Sequence, residues 1–169
     1  ARLDAAYGYA LDSDGKIGAI CTAGPSQVRM RITVKGKAAH AGVNPQDGIS
    51  AIAVAAKAIS RMPLGRIDRE TTANIGRFEG GGPTNIVPEL AVITAEARSH
   101  SNEKLTAQVA RMREAFASAA KEFGASFEFE EELLYPAYKF DEDAPVVRVA
   151  ARAFESLGIP WSTFSSGGG

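Results

Sequence analysis

Two histidines, one cysteine and a few polar residues beside glycine-rich turns are the side chains in this sequence that could do chemistry. The histidines are His40 and His100, and the cysteine is Cys21. A closed zinc site needs four ligands, and no Cys-x-x-Cys or His-Glu-x-x-His spacing occurs in the chain. The glycine-rich segment 80–85 also lacks the Gly-Lys-Ser/Thr ending of a phosphate-binding Walker loop. Because these motifs are absent, the sequence predicts no complete catalytic site within the chain.

Two loop residues occur where packing does not explain them. His40 is surrounded by small residues between a predicted strand and a predicted helix, so its ring is reachable in a place where function concentrates. Asn85 follows a run of three glycines, which permits close backbone approach to a ligand, and its amide both donates and accepts hydrogen bonds. Each residue also has an ordinary interpretation, as an exposed loop histidine and as part of a turn that links two strands.

Two charged residues have a similar double interpretation. Arg98 ends a predicted strand, where a guanidinium either binds a carboxylate through two parallel hydrogen bonds or forms a surface ion pair. Asp12 opens the segment 12–15, Asp-Ser-Asp-Gly, whose composition favours a turn. That segment resembles the start of a calcium loop, but the later acidic ligands of such a loop do not follow.

The elements that must position these residues follow from hydrophobic periodicity. We predict strands at 28–35, 71–79, 91–99 and 126–132, and helices at 45–62 and 102–123. The order β-α-β-β-α-β is typical of a ferredoxin-like α+β two-layer sandwich. The sequence therefore predicts a four-stranded antiparallel sheet with two helices on one face.

The segments outside this unit have the character of an α/β domain. Residues 7–20 predict a strand hairpin around the turn at 12–15, and residues 144–157 predict a helix followed by a short strand. We divide the chain into a catalytic-domain stub at 1–24, a ferredoxin-like domain at 25–134 and a return segment at 135–169. No Met begins the chain and a glycine run ends it, so we expect an excised fragment.

Composition excludes several classes of function. The chain has 169 residues, of which 45% are hydrophobic and 23% charged, and a net charge of −1, as expected for a soluble globular domain. This balance gives no electrostatic footprint for nucleic acid or an anionic membrane. No apolar run approaches the ~20 residues that span a bilayer. A single cysteine excludes an internal disulfide framework and fits a reducing compartment, so we predict a cytoplasmic protein.

Four segments together resemble the dinuclear zinc exopeptidases. They are Tyr-Ala-Leu-Asp at 9–12, Lys-Ala-Ala-His-Ala-Gly at 37–42, Gly-Gly-Gly-Pro-Thr-Asn-Ile-Val-Pro at 80–88 and Glu-Ala-Arg-Ser at 96–99. The first segment looks most like the peptidase T-like branch of tripeptide aminopeptidases. The resemblance implies an α/β catalytic domain that holds two zinc ions. It also implies that the inserted ferredoxin-like domain dimerises and caps the substrate.

The resemblance implies a role for each candidate residue. Asp12 matches a metal ligand, and His40 matches a histidine that reaches the active site of the partner subunit and helps to hold the oxyanion. Asn85 and Arg98 match residues that bind the carbonyl or the terminal carboxylate of the substrate. Gly168 lies in a stretch that resembles the start of a glycine-rich substrate-binding loop.

The resemblance also implies partners and a cofactor. The partners are a second copy of the chain, as a homodimer through the ferredoxin-like domain, and a short peptide substrate. The cofactor is zinc, although the pattern leaves open whether Asp12 or Asp14 is the ligand. The other metal ligands and the general-base Glu should lie outside the chain. We therefore expect this fragment to bind no zinc and to be inactive alone.

Two alternatives remain at this stage. The first is an amidohydrolase of the same family, acting on an N-acylated amino acid, an acyl-diaminopimelate or a ureido compound. The requirement for a free α-amino group in the substrate distinguishes it from an aminopeptidase. The second is a ferredoxin-like binding or regulatory module with no enzyme attached, which would not need the turn at Asp12.

Overall fold

The computed structural model describes residues 4–12 and 15–168, and its contacts divide the chain into two compact units. The central unit is the continuous segment 25–137, and the flanking unit combines the segments before and after it. The boundaries therefore lie at 24/25 and 137/138, compared with the predicted 24/25 and 134/135. That the flanking unit belongs to a catalytic domain stays a prediction.

The described residues contain eight strands, three α-helices and one 3₁₀ turn. In chain order they are β1 (Ala19–Gly24), β2 (Ser26–Lys35), the 3₁₀ turn (Pro45–Asp47), α1 (Ala51–Arg61), β3 (Gly65–Arg66), β4 (Thr71–Gly80), β5 (Leu90–Ser99), α2 (Asn102–Phe123), β6 (Ser126–Tyr135), β7 (Tyr138–Lys139), α3 (Pro145–Ser156) and β8 (Ser162–Ser165).

The central unit contains a sheet with the strand order β3-β4-β5-β2-β6, in which every neighbouring pair is antiparallel. Apart from the two-residue β3, the elements follow the predicted β-α-β-β-α-β order. Both α1 and α2 contribute side chains to one core cluster with β2 and β5. The predicted α+β fold is therefore confirmed, and the strand order is that of a ferredoxin-like sandwich.

The core of the central unit follows the strand alternation seen in the sequence. In β2, Met30 and Ile32 are fully buried, whereas Arg31 between them is exposed. Phe116 of α2 is also fully buried, and its ring lies 6.3 Å from that of Phe127 and 6.4 Å from that of Phe129. The face of the sheet opposite the helices is therefore left for polar side chains.

Helix α2 matches its predicted limits, 102–123. The Ser101 hydroxyl accepts a hydrogen bond from the backbone N–H of Lys104 at 3.3 Å, and Gly124 adopts the left-handed conformation, with φ of 69°. Neither this helix nor any other in the described part of the chain is long and apolar enough to cross a membrane.

The predicted helix at 45–62 is wrong at its beginning. Pro45 starts only a 3₁₀ turn, and α1 begins at Ala51 after the Ser50 side chain accepts the N–H of Ala53 at 3.2 Å. The reason is tertiary, because Ile49 exchanges two backbone hydrogen bonds with Lys37, at 2.8 and 2.9 Å. Those bonds hold residue 49 in an extended bridge and keep it out of a helix.

The hairpin predicted at 7–20 is also wrong. The structure has no strand within 4–12 or 15–18, and residues 13 and 14 of the predicted turn lie outside the described residues. Instead, β1 pairs in parallel with β8 and antiparallel with β7.

Within this flanking unit, Cys21 is half-buried and its sulfur lies 3.5 Å from the Tyr138 hydroxyl. This contact, more than burial, raises the pKa of Tyr138 to about 12.

Candidate functional site

Two loops of the central unit lie side by side and carry His40 and Asn85. The first loop, 36–44, follows β2, and the second, 81–89, precedes the neighbouring strand β5. The N–H of Ala41 donates to the carbonyl of Asn85 at 2.8 Å, and the N–H of Val87 donates to the carbonyl of Ala39 at 2.9 Å. The structure therefore brings the main chains at His40 and Asn85 together, and both side chains are exposed.

Two glycines allow this close packing. A Cβ atom on Gly36 would lie 2.0 Å from the carbonyl oxygen of Ile49, and one on Gly48 would lie 2.9 Å from the Cβ of Ala39. Neither glycine has a positive φ, so the requirement is for space and not for an unusual backbone conformation. The sequence does not show why either position needs the space of a glycine, because the atoms that each one approaches belong to residues distant along the chain.

A backbone contact determines which nitrogen of His40 carries the proton. The N–H of Gly42 donates to Nδ1 of His40 at 3.1 Å, so Nδ1 must be unprotonated for this bond to form. The proton of the neutral imidazole is then on Nε2. His40 therefore offers an N–H donor on an exposed ring, which is what stabilisation of a developing negative charge requires.

Arg98 has partners that the sequence did not reveal. Its Nε donates to Oε1 of Glu96 at 3.0 Å and its Nη2 to Oε2 at 3.1 Å, and Nε2 of Gln27 donates to the same Oε2 at 2.6 Å. The hydrogen bond to Glu96 raises the pKa of Arg98, burial opposes this, and the negative charge of Glu96 adds to the rise. The ion-pair interpretation of Arg98 is realised, and carboxylate binding stays a prediction.

Arg98 does not join the loop pair. The loop that carries Asn85 ends where β5 begins, at Leu90, whereas Arg98 is next to the last residue of that strand. Eight residue steps at ~3.3 Å each separate Leu90 from Arg98 by about 26 Å. Within one copy of the chain, His40 and Asn85 thus lie at one end of the sheet and Arg98 at the other.

The two remaining candidates lie in the flanking unit. Asp12 is exposed and is not at the end of a strand, contrary to the prediction. Gly168 donates its N–H to the Ser166 hydroxyl at 3.0 Å, in the segment after β8. Within 4–12 and 15–168, no three His, Cys, Asp or Glu residues are grouped so that they could hold a metal ion. Metal binding by Asp12 and substrate binding by Gly168 stay predictions.

A family model decides where this chain belongs. The model of the peptidase dimerisation domain, M20, matches residues 25–124, which is more than half of the chain and lies within the central unit. The chain belongs to the M20 peptidase dimerisation domain family. The resemblance drawn from the four sequence segments is therefore confirmed.

Relatives of this M20 domain match almost its whole length. The uncharacterised protein YqjE of Bacillus subtilis is 54% identical over 167 residues, which are 99% of this chain and 45% of that protein. The crystal structure of aminopeptidase PepT from Bacillus cereus is 57% identical with a TM-score of 0.88, over 99% of this chain and 45% of that one. A tripeptidase structure from Staphylococcus aureus is 44% identical with a TM-score of 0.91, over 99% and 44%. The chain thus spans less than half the length of these relatives.

Proposed function

We propose that this chain is the dimerisation and substrate-capping part of a zinc-dependent aminopeptidase for short peptides, of the tripeptide-cleaving type. The observation that carries this proposal is the extent of the similarity. The relationship to an aminopeptidase and to a tripeptidase covers 99% of the chain, including the flanking segments that the dimerisation model does not match. The flanking unit would then contribute to the catalytic domain.

The residues of this chain would bind and orient the peptide. The Nε2–H of His40 would donate to the oxygen that gains negative charge as the amide is attacked. The Asn85 amide would bind a substrate carbonyl, and the Arg98 guanidinium would bind the terminal carboxylate. Asp12 offers the kind of carboxylate oxygen that zinc accepts, together with ligands from outside this chain. Two bound zinc ions would supply Lewis-acid polarisation of the scissile amide.

The distance along β5 supports a role for His40 in the partner subunit. An extended tripeptide spans about 10 Å, whereas Leu90 and Arg98 are separated by about 26 Å along the strand. This difference favours a site in which His40 and Arg98 come from different copies of the domain. In a two-fold dimer, His40 of one copy can complete a site that contains Arg98 of the other.

The exposed edge of β4 is the better candidate for the dimer interface. On the opposite edge, β6 carries Glu128, Glu130 and Glu132, and like charges discourage pairing with a second copy. In the described structure β3 pairs only with Thr72 and Ala73 of β4, which leaves residues 74–80 open along that edge. This segment carries Phe78, 40% exposed, between Arg77 and Glu79, a sequence that suits antiparallel pairing with itself.

Phe78→Asp should therefore dissociate the dimer. A charge at the centre of a β4–β4 interface should cost about 2 kcal/mol or more, a loss of roughly 30-fold in dimer affinity. The measurement is the concentration dependence of molar mass in sedimentation of the full-length protein. Leu133→Asp on β6 is the matched control, since Leu133 is an exposed apolar residue, 58% accessible, on the other edge. If Leu133→Asp dissociates the dimer and Phe78→Asp does not, the interface lies at β6 and the proposal for β4 is wrong.

The proposed activity is tested by hydrolysis with zinc present. The full-length protein should cleave a tripeptide with a free amino terminus and leave the same peptide intact when it is N-acetylated. Preference for the acetylated peptide would make the protein an amidohydrolase of the same family. If the protein cleaves neither peptide and binds no zinc, the remaining hypothesis is a binding or regulatory module with no enzyme attached.

A further inference from the structure

Glu96 holds Arg98 from the same strand. The two residues are two positions apart on β5, so their side chains lie on the same face of the sheet, opposite the helices. Two hydrogen bonds of 3.0 and 3.1 Å join them, and their side chains are 35% and 27% exposed. This is a bidentate pair in a partly sheltered position, which limits the rotation of the guanidinium.

The pair uses only one edge of the guanidinium. Arg98 contacts Glu96 through Nε and Nη2, which form the side edge of the group. A guanidinium has five N–H donors, so the pair leaves three hydrogens free. Two of these, one on Nη1 and one on Nη2, form the end edge of the group. That end edge can bind a second carboxylate through two parallel bonds while the first stays in place. Glu96 and a substrate carboxylate therefore do not need the same donors.

Glu96 is itself anchored from the next strand. Gln27 of β2 is buried, with 8% of its surface exposed, and its Nε2 donates to Oε2 of Glu96 at 2.6 Å. Gln27 stands opposite Arg98 in the register of β2 and β5, so the three side chains form one connected group. A buried amide fixes the carboxylate, and the carboxylate in turn fixes the guanidinium.

We propose that Glu96 is the positioning residue that aims Arg98 at the carboxyl terminus of the substrate peptide. The inference rests on the proposed function, in which Arg98 binds that carboxylate. Without Glu96, the long Arg98 side chain would have to lose its rotamer freedom each time it binds. Glu96 is partly exposed, so water screens its negative charge and Glu96 only slightly weakens the attraction of Arg98 for a second carboxylate. The gain from holding the two N–H donors of Arg98 in alignment exceeds that loss.

The test compares a tripeptide that has a free carboxyl terminus with the same peptide as its C-terminal amide, in the full-length enzyme. Glu96→Gln should raise KM for the free acid by about tenfold, the effect of losing one aligned charge-assisted bond, and leave kcat unchanged. KM for the amide should not change. Glu128→Gln is the matched control, because Glu128 also forms an ion pair on the same sheet, with Lys35. This variant should leave both KM values unchanged.

Arg98→Ala separates this inference from the proposed function. If the wild type does not prefer the free acid, or if Arg98→Ala keeps that preference, then the proposed role of Arg98 and the role of Glu96 both fail. If Arg98→Ala loses the preference but Glu96→Gln leaves KM for the acid unchanged, only the positioning role fails. A lower KM for the acid in Glu96→Gln would identify Glu96 as a competitor of the substrate and would also overturn the positioning role.

Discussion

Replacing His40 with alanine should lower kcat of the full-length peptidase by about 10²–10³-fold, the usual effect of removing one donor to a developing oxyanion. The fold should be intact, because the His40 side chain is exposed and only its Nδ1 contact with the N–H of Gly42 is lost. Steady-state kinetics on a free tripeptide measure the change. Gln46→Ala, at an exposed position in the neighbouring 3₁₀ turn, should keep wild-type kcat. A loss of less than threefold in His40→Ala would contradict the oxyanion role.

Subunit mixing tests whether His40 acts in the partner. His40→Ala and Arg98→Ala homodimers should each be poorly active at low substrate concentration, because every site lacks one group. In a mixed dimer one site receives Arg98 from one copy and His40 from the other, so that site is intact. Statistical mixing should recover about a quarter of wild-type activity, since half of the dimers are mixed and each has one good site. No recovery would place His40 and Arg98 in the same copy.

The second large effect is expected at Gly36. In Gly36→Ala the new Cβ would lie 2.0 Å from the carbonyl oxygen of Ile49 and 3.1 Å from the backbone nitrogen of Ala51, and neither backbone atom can rotate away. The bonds between Lys37 and Ile49 must then break or shift, so the free energy of unfolding should fall by about 3 kcal/mol. Activity should fall with it, because the same loop carries His40.

Urea denaturation measures this change, and Gly82→Ala is the matched control. Gly82 lies in the second loop of the pair and has nothing within 4 Å of the position where a Cβ would be added. Its replacement should change stability by no more than about 0.5 kcal/mol. Equal stability of the Gly36 and Gly82 variants would show that the loop pair tolerates a shift, and would remove the structural role given to Gly36.

Local patterns in the sequence were enough to predict most of the central unit. The alternation in β2 and the helical spacing of α2 arise from burial of one face, and Ser101 and Gly124 satisfy backbone groups at the ends of that helix from within the same segment. Signals of this kind need no distant partner. The order of the elements then leaves few ways to cover one face of the sheet, which is why the fold class could be predicted.

Predictions failed where a distant segment supplies the hydrogen bonds. Pro45 and Asn44 form a good local helix start, yet Ile49 bonds to Lys37 and α1 begins only at Ala51. The turn residues near Asp12 favour a hairpin, yet β1 pairs with β7 and β8 from the other end of the chain. In both places, a tertiary pairing outweighs the local preference, and composition carries no record of it.

The candidate site divides in the same way. His40, Asn85 and Arg98 could be singled out one by one from residue type, glycine neighbours and position at the end of an element. Only the tertiary structure decided that His40 and Asn85 share a loop pair and that Glu96 and Gln27 hold Arg98. The physical reason is that a side chain's type is local, whereas its neighbours depend on strand order and register, which arise from packing of the whole sheet.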